Sequence, residues 1–239
     1  MRSISAGCNF FLANFTFQFV LCYMQILAIA DIHGECRHIA PAAELIRAAD
    51  IIALCGDISG HGSWRTAVDV ISQIEKYNRN ILSVHGNLDT VEVLAMLRDR
   101  GYSVHSDGKI IREIGFFGAG GSGRTPMKTP TEYTEEELFG FLTEGYEKIN
   151  DSAIKVMISH APPKGTTDRT FFGMRAGSSA VRKFIEKNHV NLCLSGHIHE
   201  ARGVKSINST VVANPGAFKK GRYLLIEIGD KIEVKSGKI

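Results

Sequence analysis

The chain has 239 residues, of which 44% are hydrophobic and 22% charged, proportions ordinary for a folded protein. A formal net charge of +3 with no long basic run argues against a nucleic-acid surface, and Lys219, Lys220 and Arg222 form only a short cluster. The five cysteines (Cys8, Cys22, Cys36, Cys55, Cys193) show no C-x-x-C spacing and leave one without a mate. That usage fits a reducing, cytoplasmic setting better than a disulfide framework.

Residues 1–23 stand apart in composition, with five of the thirteen Phe and a single charge, Arg2. Three readings are open. The run from Asn9 to Tyr23 is a targeting or anchoring segment, though Asn14, Thr16 and Gln18 interrupt it and it is short for a span. Alternatively Phe15, Phe17 and Phe19 alternate as an added strand. In the third reading translation starts at Met24 and the stretch is an upstream extension. Residues 24–239 are then read as one domain, since no repeat, low-complexity tract or linker divides them.

In chain order, Ile26-Leu27-Ala28-Ile29-Ala30 is an apolar run of the kind buried on both faces of a parallel sheet, and it ends in Asp31-Ile32-His33-Gly34. Ile39, Ala42, Ala43, Ile46 and Ala49 predict a helix over Glu35–Ala49. Ile51 to Cys55 is a second buried strand, ending in Gly56-Asp57, and Trp64 to Tyr77 is a second helix. Ile81 to His85 is a third strand, closed by Gly86-Asn87-Leu88-Asp89, with Thr90 as N-cap of a helix over Val91–Asp99. Three successive strand, polar turn and helix units predict a parallel βαβαβ core.

Short strands follow at Lys109–Ile114 and Phe116–Ala119. Gly120-Gly121-Ser122-Gly123 then opens a polar loop, read either as a flexible turn or as backbone approaching substrate. Glu135, Glu136 and Glu137 suit a first helical turn. A strand over Ala153–Ile158 ends in Ser159-His160, a helix covers Ser178–Asn188, and a strand over Asn191–Leu194 ends in Ser195-Gly196-His197-Ile198-His199. The tail offers strands at Thr210–Ala213, Tyr223–Ile228 and Lys231–Lys235.

Strand ends therefore carry Asp31, His33, Asp57, Asn87, His160, His197 and His199, and open α/β folds place their chemistry at strand ends. One such histidine is commonly a hydrogen-bonded turn residue. Seven nitrogen and oxygen donors delivered by the same device point to metal. Mixed imidazole, carboxylate and amide donors suit borderline divalent ions, manganese first, with iron, zinc or nickel as alternatives.

The blocks Asp31-Ile32-His33, Gly56-Asp57, Gly86-Asn87-Leu88-Asp89, His160 and Gly196-His197-Ile198-His199 resemble the motif series of the calcineurin-like metallophosphoesterase family: D-x-H, G-D, G-N-H-[DE], H, G-H-x-H. The resemblance spans residues 26 to about 216. It implies an α/β fold, a four-layer αββα sandwich with a binuclear metal centre. In that centre Asp31, His33 and His199 would hold one ion, Asn87, His160 and His197 the other, and Asp57 would bridge them. It implies a metal-dependent phosphoesterase hydrolase acting on a phosphate-ester small molecule through a metal-bridging hydroxide. Two divalent ions bring roughly four positive charges, of which Asp31, Asp57 and the hydroxide cancel about three, so a phosphodiester monoanion fits better than a monoester dianion.

One block departs from the pattern. Leu88 stands where the family carries a histidine resembling the leaving-group acid, and Asp89, which resembles that histidine's orienting partner, lacks its usual mate. His61, after Gly56-Asp57, is either a substitute donor or a solvated loop residue. Two functions follow: a phosphodiesterase that uses another acid or a good leaving group, or a catalytically weak fold serving as an interaction scaffold, as in the retromer subunit that resembles this family. Retention of every ligand-competent position favours the enzyme.

Overall fold

Apolar residues alternating along a strand present two faces, and both must be buried. The computed structural model describes residues 24–60 and 63–239; the stretch 1–23 and His61 lie outside the described residues. Met24–Ile29 forms β1. Ile26, Ala28 and the following Ala30 join one core cluster, while Leu27 and Ile29 join another.

From β1 the chain passes through a 3₁₀ turn (Cys36–His38) and α1 (Ala43–Ala48) to β2 (Ile51–Cys55). It continues through α2 (Trp64–Glu75) to β3 (Ile81–Val84) and α3 (Val91–Asp99). Next come β4 (Gly108–Ile111), β5 (Ile114–Ala119), the two-residue strands β6 (Ser122–Gly123) and β7 (Glu132–Tyr133), and α4 (Glu135–Glu147). The last part holds β8 (Ile154–Ser159), α5 (Ser179–Lys187), β9 (Leu192–Ser195), β10 (Gly203–Ile207), β11 (Thr210–Asn214), β12 (Arg222–Ile228) and β13 (Ile232–Lys238).

Two sheets result. One has the order β13-β12-β1-β2-β3, the other β10-β11-β9-β8-β5-β4. β1, β2 and β3 are parallel, as the three strand–helix units predict, and β5, β8 and β9 are parallel in the second sheet. Between the sheets Ile26, Ala28, Ala53 and Val84 share a cluster with Phe116, Val156, Ile158 and Leu194. The outer face of the first sheet packs Leu27, Ile29 and Leu54 against Ile46, Ile71 and Leu97 of α1, α2 and α3. That of the second packs Phe117, Met157 and Val212 against Leu142, Val181 and Phe184 of α4 and α5. The arrangement is the four-layer αββα sandwich expected from the motifs.

Local departures have local causes. The single helix expected over Glu35–Ala49 is a 3₁₀ turn followed by a short α1, because Pro41 lacks an N–H and disfavours helical geometry in the residue before it. Thr90 occupies the N-cap position of α3, yet its hydroxyl makes no capping bond; the Thr90 carbonyl accepts the Val93 N–H instead, at 3.0 Å. Gly120, read as part of a flexible turn or a substrate-facing backbone, lies against the protein's own His85, where a Cβ would overlap the imidazole. β10 is an unanticipated strand at the sheet edge.

Candidate metal centre

All seven strand-end donors sit where parallel strands of the two sheets run out. Asp31 and His33 follow β1, Asp57 follows β2, Asn87 follows β3, His160 follows β8, and His197 and His199 follow β9. Backbone bonds lace these turns together: Asp31 N–H donates to the Gly56 carbonyl (3.1 Å), His33 N–H to Asp57 (2.9 Å), and Gly196 N–H to His160 (3.1 Å). Asp31, His33, Asp57 and His197 all hold left-handed backbone angles, with φ of 54°, 52°, 50° and 67°. Non-glycine residues avoid this region, so the turns hold strain of the kind found at functional sites.

The side chains form two groups that share Asp31. Donor atoms of Asp31, His33 and His199 lie within 4.8 Å of one another, as do those of Asp31, Asp57 and His160. His33 Nε2 is 3.0 Å from His199 Nε2, and His199 Nε2 is 3.6 Å from Asp31 Oδ1. Asp57, in the second group, lies with Oδ1 at 3.5 Å from His160 Nε2 and reaches toward the first, with Oδ2 at 4.0 Å from His33 Nε2. Asn87 Oδ1 is 2.9 Å from His160 Nε2. His197 reaches the same region through its ring, whose centroid is 5.0 Å from that of His160, and its N–H donates to Asp31 Oδ1 (3.1 Å).

The protein sets the imidazole orientation at His160. The Cys55 carbonyl can only accept, so His160 Nδ1 carries a proton toward it across 2.8 Å and Nε2 is turned into the site. Burial pushes the His33 pKa down to about 4, against the pull of Asp31. Burial, then His160, pushes His197 down to about 3. These rings are neutral near pH 7 and keep lone pairs. Burial raises Asp57 to about 7 despite His160 beside it, with Asp89 and Asp31 pushing the same way. Burial opposes the charge on Asp31 too, but His199, His160 and His33 outweigh it and hold its pKa below the usual carboxylate value. For His160, burial is outweighed by Asp57 and Asp31, and its pKa rises.

Asp31 is fully buried, and its Oδ2 has no hydrogen-bond partner. An unpaired buried carboxylate oxygen is costly unless a cation joins it, so the donor set fits divalent metal.

Asp89 sits differently. Its two oxygens accept N–H groups from Ile58 (3.1 Å), Ser59 (2.7 Å) and Gly86 (2.7 Å), binding the turn after β2 to the turn after β3. Leu88 contributes its backbone N–H, which donates to Asp57 Oδ1 at 2.9 Å. The turn Asn214-Pro215-Gly216 carries a role that the sequence reading did not assign. The Asn214 side-chain amide donates to the Gly196 (3.3 Å) and Ile198 (3.1 Å) carbonyls, bracing the loop that bears His197 and His199. An Asn before Pro-Gly was the available signal, and it reads first as a turn.

Comparison with known proteins gives the family and the fold. The chain is 35% identical over 202 residues to the uncharacterized protein MJ1162 of Methanocaldococcus jannaschii, covering 81% of this chain and 88% of that one. Its fold is similar to that of TT1561 of Thermus thermophilus (TM-score 0.72, 19% identity, 91% and 99% of the two chains). It is also similar to that of a dimetal phosphatase from Danio rerio (TM-score 0.62, 11% identity, 88% and 98%). A family model for calcineurin-like phosphoesterases matches residues 24–201, the span that contains all seven donors. With that match laid over the two-sheet donor cluster, the chain belongs to the calcineurin-like phosphoesterase family.

Proposed function

We propose that the protein is a binuclear-metal-dependent phosphodiesterase acting on a small phosphate ester, with residues 24–239 as its catalytic domain. The observation that carries this reading is the convergence of Asp31, His33, Asp57, His160 and His199, with Asp31 Oδ2 left unpaired in a fully buried site. In this proposal Asp31, His33 and His199 hold one ion, Asn87, His160 and His197 the other, and Asp57 lies between them. Manganese is the first choice of metal. Two bound divalent ions would lower the pKa of water and withdraw charge from the phosphoryl oxygens.

The chain's own residues supply the rest. Cys55 fixes the His160 ring, Asn214 braces the His197–His199 loop, and the Leu88 N–H orients Asp57. Asp89 is a positioning residue, since its carboxylate is spent on three backbone N–H groups. The leucine at position 88 favours substrates whose leaving group departs without a proton. The cysteines described, Cys36, Cys55 and Cys193, are free thiols, and we place the protein in the cytoplasm on that ground. Among the described residues no helix is long and apolar enough to cross a membrane.

The same leucine favours a second reading, a scaffold without turnover. Hydrolysis of bis(p-nitrophenyl) phosphate by purified protein separates the two. Turnover that depends on added Mn²⁺ and is lost in Asp57→Asn is the expected result. Absence of turnover with every divalent ion tried would leave the scaffold.

A further inference from the structure

The segment 161–178 runs from His160 to α5 and folds back on itself as a hairpin. Arg169 and Arg175 pair across it, and the Thr170 N–H donates to the Met174 carbonyl at 2.8 Å. Between this hairpin and β10 lies an open groove of about 750 Å³. It adjoins the loop that bears His199, since Glu200 and Ala201, which line it, follow that residue directly.

The groove is cationic. Arg169, Arg175, Arg202 and Lys205 line it against one carboxylate, Glu200, and the Glu200 side chain already accepts the Phe171 N–H at 2.7 Å. Arg175 is anchored by fully buried Asp168 at 2.8 Å, which fixes one guanidinium at the rim. Phe171, also in the lining, is 85% exposed, a large apolar ring left in water. Thr167 and Thr170, in the same wall, bury hydroxyl groups that no described group satisfies, and a ligand oxygen reaching them would supply the missing partner.

Guanidinium groups recognise phosphate by paired N–H donation, and an aromatic face beside them takes up a base by stacking. The groove volume falls within the range of small-molecule sites, roughly 300–1,000 Å³. We propose that this groove is a subsite for a nucleoside monophosphate group of the substrate, with its phosphate on Arg169 and Arg202, assisted by Lys205, and its base on Phe171. The inference rests on the phosphodiesterase reading for the reaction but not for the binding. It makes the substrate a nucleotide ester whose second anionic group lies outside the metal centre.

Binding is tested on metal-free protein, dialysed against EDTA, by calorimetric titration with thymidine 5′-monophosphate. Arg169→Ala/Arg202→Ala should weaken binding at least about tenfold, with an unchanged circular dichroism spectrum. Phe171→Ala should remove the preference for thymidine 5′-monophosphate over ribose 5-phosphate. Equal affinity in wild type and both variants would overturn the subsite. So would retention on phosphatidylglycerol vesicles without nucleotide binding, which would assign the exposed aromatic tip to a membrane. With Mn²⁺ loaded, the ratio of kcat/KM for the 3′-(p-nitrophenyl phosphate) of thymidine 5′-monophosphate, whose 5′-phosphate is free to sit on the arginines, to that for bis(p-nitrophenyl) phosphate should fall about tenfold in the double arginine variant. Inactivity toward both esters would sink the phosphodiesterase reading while the titration still decides the subsite.

Discussion

Leu88 cannot donate a proton, but its backbone already stands against Asp57, with the N–H 2.9 Å from Oδ1. Leu88→His should therefore raise hydrolysis of alkyl diesters, whose leaving oxygen needs a proton, and barely change aryl diesters. General acid catalysis is worth about 10²–10⁴-fold, and the gain should sit near the lower limit, because Asp89 is held by three backbone N–H groups and is poorly free to orient the new ring. Comparing p-nitrophenyl and methyl esters in the variant measures it; equal changes for both would contradict a missing acid. His105 permits a separate prediction. It is buried beside His85, accepts the Gly120 N–H at 3.0 Å, and burial, then Arg98, hold its pKa down at about 4 against an ordinary 6.5. As pH falls, the unfolded chain takes this proton first. Stability is then fully present above pH 6.5 and is lost between 6.5 and 4, by about 3 kcal/mol. Urea titrations at a series of pH values should show that slope, reduced by one proton in His105→Gln.

At the level of elements, α4 and α5 are joined through one carboxylate. Glu135 Oε2 accepts the Ser178 hydroxyl at 2.7 Å and the Ala180 N–H at 2.6 Å, while the Ser178 oxygen caps α5 by accepting the Val181 N–H at 3.2 Å. Ser178→Ala removes both roles and should cost about 1–2 kcal/mol in chemical denaturation with turnover retained; a loss under a few tenths would mean that the cap is redundant. Elements with a strong apolar period were legible in the sequence: β2 and α3 match their expected bounds, and the strand-end donors follow from them. What was not legible depended on partners remote in sequence. β10 reads Gly-Val-Lys-Ser-Ile, with an exposed middle, and exists because β11 pairs with it at an edge. The α1 region failed differently, since the apolar spacing was correct and Pro41 broke the helix within it. The motif position of Asp89 was visible, whereas its three backbone partners were not.

Across the whole molecule, the donors are divided between the layers. Asp31, His33, Asp57 and Asn87 come from the sheet containing β1 to β3, and His160, His197 and His199 from the sheet containing β8 and β9. Metal bound by both sets would tie one half of the sandwich to the other, so its binding energy should appear as global stability. At a free concentration one hundred times its Kd, Mn²⁺ should add about 2.7 kcal/mol per site and raise Tm in scanning calorimetry over the EDTA-treated protein. Asp31→Asn should lose most of this increment; an unchanged Tm in wild type on adding Mn²⁺ would count against a site spanning the two sheets.

The left-handed corners at Asp31, His33, Asp57 and His197 bear on how such a chain can change over generations. Each is a place where glycine would sit more comfortably, by roughly 1 kcal/mol or more, and where glycine would delete a donor. A lineage released from any need for the ions should therefore drift to glycine at these four corners before its buried strands change. A laboratory population selected for thermal endurance in the presence of a chelator, where no ion can add stability, should retrace that drift and gain robustness as the four side chains are lost.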